Sequence, residues 1–186
     1  MTMKVNKRMA ARLTAAALAL ASYGTLAASA SVEMTGEVVD STCALAPSSQ
    51  SVSVDLGRPS VGDFTGQPAG YAATSSSFNL QLEGCSGITG LQVWASGAQT
   101  EPGLTNAIKN TATSGATGVA MQIFHNSNTS VALNPNADAT SALSLTVPDT
   151  ATHQLDFTAK MVKIAAAQTP TAGPVEGHVT LNVGYQ

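Results

Sequence analysis

Short runs of alternating apolar and polar residues recur along the chain from about residue 36 onward, separated by clusters of Gly, Ser, Pro, Asn and Thr. A period of two sends successive side chains to opposite faces of a strand, so each run predicts a half-buried β-strand. The predicted strands are GEVVDSTCAL (36–45), SVSVDL (51–56), SFNLQLEGC (77–85), LQVWAS (91–96), GVAMQIFH (118–125), TSVAL (129–133), LSLTV (143–147), HQLDFTAKMVKI (153–164) and VEGHVTLNVGY (175–185). No segment here keeps a helical period, and TNAIKN (105–110) makes at most one turn. Many short strands with this spacing predict an all-β fold, an immunoglobulin-like β-sandwich, with a closed barrel as the structural rival.

The intervening stretches fit that plan. GRPSVGDFTGQPAGYAATSSS (57–77) and EPGLTNAIKNTATSGATG (101–118) read as long loops, of the kind that carry function or simply vary on a surface. The last run poses a question. In HVTLNVGYQ (178–186) the residues Val179, Leu181, Val183 and Tyr185 share one face without a break, a pattern suited to the middle of a sheet, yet it closes the chain.

The opening residues follow another rule. Lys4, Lys7, Arg8 and Arg12 precede the apolar run LTAAALALA (13–21), which is far too short to span a bilayer. This is the layout of a secretory signal peptide. Small residues permit cleavage after Ala21, Ala27 or Ala30, and residues 1–27 are taken as the signal because cleavage after Ala27 retains a short alternating run described below. The leader removes four of the eight basic residues and none of the eleven acidic ones, so four face eleven in the mature chain, a net charge of −7. That leaves no basic patch for nucleic acid or anionic lipid. With only Cys43 and Cys85 in an exported chain, one disulfide is the economical expectation. A crosslink closing a loop of that size contributes roughly 4 kcal/mol in the chain-entropy view.

A search for chemistry returns little. His125, His153 and His178 lie in separate segments with no second ligand at metal-binding spacing. No nucleophile elbow, phosphate loop or dinucleotide fingerprint is present, and the carboxylates from Asp55 to Asp156 are scattered. Trp94, the single tryptophan, sits in an alternating strand, where a half-buried aromatic is the ordinary case and a sugar platform the rarer one. The expectation is therefore no enzyme, no catalytic residue, no metal and no cofactor.

TGEVVDSTCAL (35–45), SFNLQLEGC with its second cysteine, GVAMQIFH, LDFTAKMVKI (155–164) and the ending TAGPVEGHVTLNVGYQ (171–186), taken in this order, resemble the type 1 pilin family, the fimbrial subunits of the chaperone–usher pathway. The resemblance implies an incomplete immunoglobulin-like domain over 36–186 that lacks its final strand and is completed by a donor strand from a neighbouring subunit. HVTLNVGYQ would then end the chain because its missing neighbour comes from another polypeptide. An uncovered strand edge is an aggregation hazard, and a foreign strand both pairs it and fills alternate pockets.

The same resemblance implies two sets of site residues. The acceptor and chaperone-recognition strand would comprise Val179, Leu181, Val183, Tyr185 and Gln186, with Tyr185 as the family's penultimate aromatic and Gly173 as its glycine fourteen places from the end. The donor would be the extension 28–35, in which Ala28, Ala30, Val32 and Met34 share one face. Burying Val32 and Met34 in a neighbour would contribute roughly 1.5–3 kcal/mol each. Family donors commonly carry Gly two residues before the first large apolar side chain, where this chain has Ala30.

The implied function is that of a structural subunit of a bacterial surface fimbria, delivered by a periplasmic chaperone to an outer-membrane usher, polymerising with other pilin subunits and supporting cell adhesion. The implied location is the cell surface, reached through the periplasm. The alternative is a minor or tip-proximal subunit that binds a host receptor glycan directly through the 57–77 or 101–118 loops. Tip adhesins of the family add a lectin domain, for which about 159 mature residues leave no space.

Overall fold

The computed structural model describes residues 43–185. Eight strands lie among the described residues: β1 Ala44–Leu45, β2 Ala72–Glu83, β3 Gly90–Ser96, β4 Ile108–Lys109, β5 Val119–His125, β6 Leu143–Thr146, β7 Thr152–Lys163 and β8 Thr180–Tyr185. They form two sheets, ordered β1-β2-β7-β5-β4 and β6-β3-β8, with all pairings antiparallel. Two open sheets rule out the closed barrel.

The core lies between the sheets and follows the predicted alternation. Leu80 and Leu82 of β2 and Leu155 and Phe157 of β7 point inward, and Leu91, Val93 and Ala95 of β3 meet them from the other sheet. Phe78 and Phe157 face each other across β2 and β7 and stack at 5.3 Å between ring centroids. Cys43 and Cys85 form the expected disulfide, which fastens the start of β1 to the turn after β2. The buried His153 ring lies within 4.8 Å of both sulfurs, but the sulfurs are bonded to each other and offer no thiolate to a metal.

Besides VEGHVTLNVGY (175–185), which is strand only from Thr180, four expected elements differ. β2 begins at Ala72, inside the stretch read as a loop, because β7 supplies a ladder for the serine run: Ser75 pairs with Lys160, Ser76 with Ala159 and Ser77 with Thr158. TSVAL (129–133) is not a strand. The Asn128 carboxamide oxygen accepts from Ser130 N–H and Val131 N–H, each at 3.2 Å, and this local turn competes with pairing. The 105–110 segment contributes β4, with Lys109 N–H donating to Gln99 C=O and Glu101 N–H to Ala107 C=O. The fourth, SVSVDL (51–56), has no assigned strand and leads to the site below.

Candidate functional site

One side of the sandwich is built from two segments, 51–59 and 177–185, that do not pair with each other. Among the described residues, no backbone–backbone hydrogen bond involves residues 51–59; Gly57 N–H bonds locally to the Asp55 carboxylate at 2.8 Å. Opposite lies the approach to β8. Among the described residues, 177–179 also lack backbone partners and β8 pairs only with β3, with no described strand on its other edge. These residues are exposed or half-buried, so the two lines present open backbone donors and acceptors on either side of a gap.

The gap is a groove in two connected stretches, of about 400 Å³ and about 900 Å³, which share Val52, Val54, Leu56, Met121 and Gly177. The inner face of the larger sheet, together with Phe64 from the turn at Val61–Phe64, supplies its floor. Phe78, Leu80, Ile108 and Ile123 lie under the narrow stretch, and Phe64, Val119 and Met161 under the wide one. Both rims lean on this floor: Val54 and Leu56 from one side, Val175, Val179 and Leu181 from the other, all half-buried. Val52 stays 40% exposed, the state expected of an apolar rim residue with nothing to cover it.

Two glycines let the second rim run close to the body. A Cβ at Gly173 would stand 2.5 Å from Ala116 N and 2.8 Å from Gly115 C, both backbone atoms that cannot swing away. At Gly177 it would meet the Met121 methyl at 2.6 Å and the Ile108 side chain at 2.9 Å. Between them the rim is anchored outward. Asn110 Nδ2 donates to Pro174 C=O at 3.0 Å, Glu176 N–H donates to Asn110 Oδ1 at 2.9 Å, and Thr111 N–H donates to Glu176 C=O at 2.9 Å. The exposed His178–Glu176 pair, 3.1 Å apart, stands on the rim and adds little energy in water.

Comparison with known proteins decides what carries such a groove. The sequence model of the family described as fimbrial protein matches residues 32–186. The chain belongs to the fimbrial protein family. It is a structural subunit of a surface fimbria, exported by way of the periplasm, where its disulfide can form. This fimbrial subunit is 31% identical to long polar fimbria protein A of Salmonella typhimurium, over 91% of this chain and 93% of the relative. It is 33% identical to the probable major fimbrial subunit LpfA of Escherichia coli O157:H7, over 97% of each. Its fold matches a solved chaperone–usher pilus subunit with a TM-score of 0.61 at 20% identity, over 86% of this chain and 97% of that one.

The expected site residues of the fimbrial subunit fall into three groups. Gly173, Val179 and Leu181 lie on the groove wall. Val183 and Tyr185 continue the same face of β8 but pack on the core beyond the groove, opposite Val93 and Leu91. The Tyr185 hydroxyl donates to Cys43 C=O at 2.8 Å, fastening the end of β8 to the disulfide, and burial raises its pKa above the usual tyrosine value. The signal segment 1–27, the donor residues Ala28, Ala30, Val32 and Met34, the start of the 36–45 strand and Gln186 lie outside the described residues. Sequence reasoning treated SVSVDL as an ordinary strand and passed over Gly177 and the Phe64 floor. The signal for the first was present, since an alternating run followed by Gly57 and Pro59 has no obvious hairpin partner. Trp94 covers Gly184 on the outer face of β3 and β8, the ordinary aromatic of a half-buried strand.

Proposed function

We propose that the groove is the seat of a β-strand donated by another polypeptide, and that the subunit polymerises in this way. The observation that supports this is that, among the described residues, 51–59 makes no backbone–backbone bond and β8 is paired on its β3 edge alone, the two lying on either side of an apolar floor. An extended peptide laid there would gain ladder hydrogen bonds on both sides and place alternate side chains over Ile108, Met121 and Phe64. Within a fibre the donor would be the N-terminal extension of the next subunit, residues 28–35 with Ala28, Ala30, Val32 and Met34 inward. Before assembly a periplasmic chaperone would lend its own strand, hold the Gln186 carboxylate and pass the subunit to an outer-membrane usher. On this reading the activity is assembly and not catalysis, and adhesion to a host receptor is a property of the finished fibre.

The test is to mix the mature chain, at a concentration where it stays monomeric, with a synthetic peptide spanning 28–40 and to follow thermal melting. A large rise in melting temperature is expected. No rise would overturn the reading of the groove as a seat for this donor.

A further inference from the structure

Lys163, the last residue of β7, is only 3% exposed and has no carboxylate partner among the described residues. Its ammonium instead donates to three main-chain carbonyls: Phe64 O at 3.1 Å, Gln67 O at 3.0 Å and Ala166 O at 3.1 Å. An ammonium carries three N–H groups, so each finds one acceptor. The acceptors come from two different turns, the one that opens with Val61–Phe64 and the one that follows β7. Of these oxygens Phe64 O also accepts from Gln67 N–H at 3.3 Å, and a buried charge so placed joins the turns to the strand end.

The turn it holds reaches the groove. Phe64, 3% exposed, forms a small cluster with Val119 and Met161 that floors the wide stretch. Leu56 from one rim and Val175 from the other pack against the same cluster. The backbone agrees with the side chain: Gly70 N–H donates to Lys163 C=O at 2.8 Å, and Lys163 N–H donates to Tyr71 C=O at 2.9 Å. Lys163 therefore lies at the point where β7, the 61–68 turn and, through Phe64, both groove rims meet.

We infer that Lys163 is a positioning residue for strand uptake: it fixes the 61–68 turn so that Phe64 keeps the wide end of the groove in a shape ready to receive a donor. This rests on the docking reading above and adds to it which buried group prepares the seat. Without the three bonds the turn lifts, Phe64 leaves the floor, and the rims lose a shared support. Strand uptake then has to wait for the turn to re-form.

The experiment measures the association rate of a fluorescent 28–40 peptide with the mature chain and with Lys163→Met, Phe64→Ala and the double variant. Lys163→Met is expected to slow uptake at least tenfold, Phe64→Ala to do the same, and the double variant to be no slower than the slower single one. Multiplying effects would mean that Lys163 does not act through Phe64, which overturns the inference. A wild-type rate in Lys163→Met overturns it too and leaves the docking reading standing. A wild-type chain that takes up no peptide overturns the docking reading itself. Should Lys163→Met fail to fold, hydrogen exchange on the wild-type chain serves. The Asp63 and Thr65 amides should be protected before peptide is added, and protection that appears only with peptide would overturn the inference.

Discussion

Strand β2 meets β7 in an unbroken ladder from Glu83 opposite Thr152 to Ser75 opposite Lys160, while of the two groove rims, equally alternating, 51–59 makes no backbone–backbone bond among the described residues and β8 is paired there on its β3 edge alone. Their sequences do not announce the difference. SFNLQL and HVTLNV carry the same period of two, and both turn apolar residues toward the same core. What differs, among the described residues, is whether a neighbouring strand lies alongside. In the first region it lies downstream in the same chain, so Phe157 is fully sealed; in the second, Val179, Leu181 and Val54 stay half-buried. Alternation tells which face of a strand is buried, and says nothing about whose backbone will pair with its edge.

The comparison breaks most visibly at Phe157. This ring is wholly buried, stacks on Phe78 and meets the edge of His125 at 5.2 Å. Phe157→Ala should cost about 3–5 kcal/mol through lost transfer energy and a residual cavity. Because the defect is in the self-paired half, the donor peptide should restore little of it. Denaturant unfolding with and without the 28–40 peptide checks this, and full restoration by peptide would show that the two regions are not separable.

Gly173→Ala tests the other half. The added methyl meets main-chain atoms of Gly115 and Ala116, so the rim has to shift, a strain of about 1–3 kcal/mol. The expected outcome is a peptide affinity lowered about tenfold or more, with β2 and β7 still protected in hydrogen exchange. If peptide affinity is unchanged, the close approach at Gly173 does not shape the groove.

The fold was legible where both partners of a ladder lie in the chain. LQVWAS, GVAMQIFH and the long strand before Ile164 were each placed within a residue or so of β3, β5 and β7. The start of β2, residues 72–76, was not, because its strand character comes from β7 and not from its own composition. TSVAL failed for the opposite reason, since the Asn128 side chain captures its backbone. Of the proposed site, the period and the glycine of the C-terminal rim were legible in the sequence. The opposite rim and the Phe64 floor were not, because they are assembled from segments far apart in the chain, brought together only by contacts such as the buried ammonium of Lys163.

The smallest effect sharpens the comparison most finely. His125 ends β5, 8% exposed, with its Nδ1 2.6 Å from the Ser127 hydroxyl and its ring against Phe157. Burial lowers its pKa from the ordinary 6.5, partly opposed by the nearby Asp156 carboxylate. As pH falls below 6.5 the unfolded chain takes up a proton at this residue before the folded chain does, so stability drops with pH until the folded imidazole also protonates. The contribution is fully present above pH 6.5 and is lost through the window beneath it. His125 lines neither stretch of the groove, so the donor peptide should raise the melting temperature by a similar amount at every pH in that window. His125→Gln should flatten the slope with and without peptide alike. A slope that vanishes when the peptide binds would mean that the self-paired half and the groove titrate as one unit, and the division drawn between them would fail.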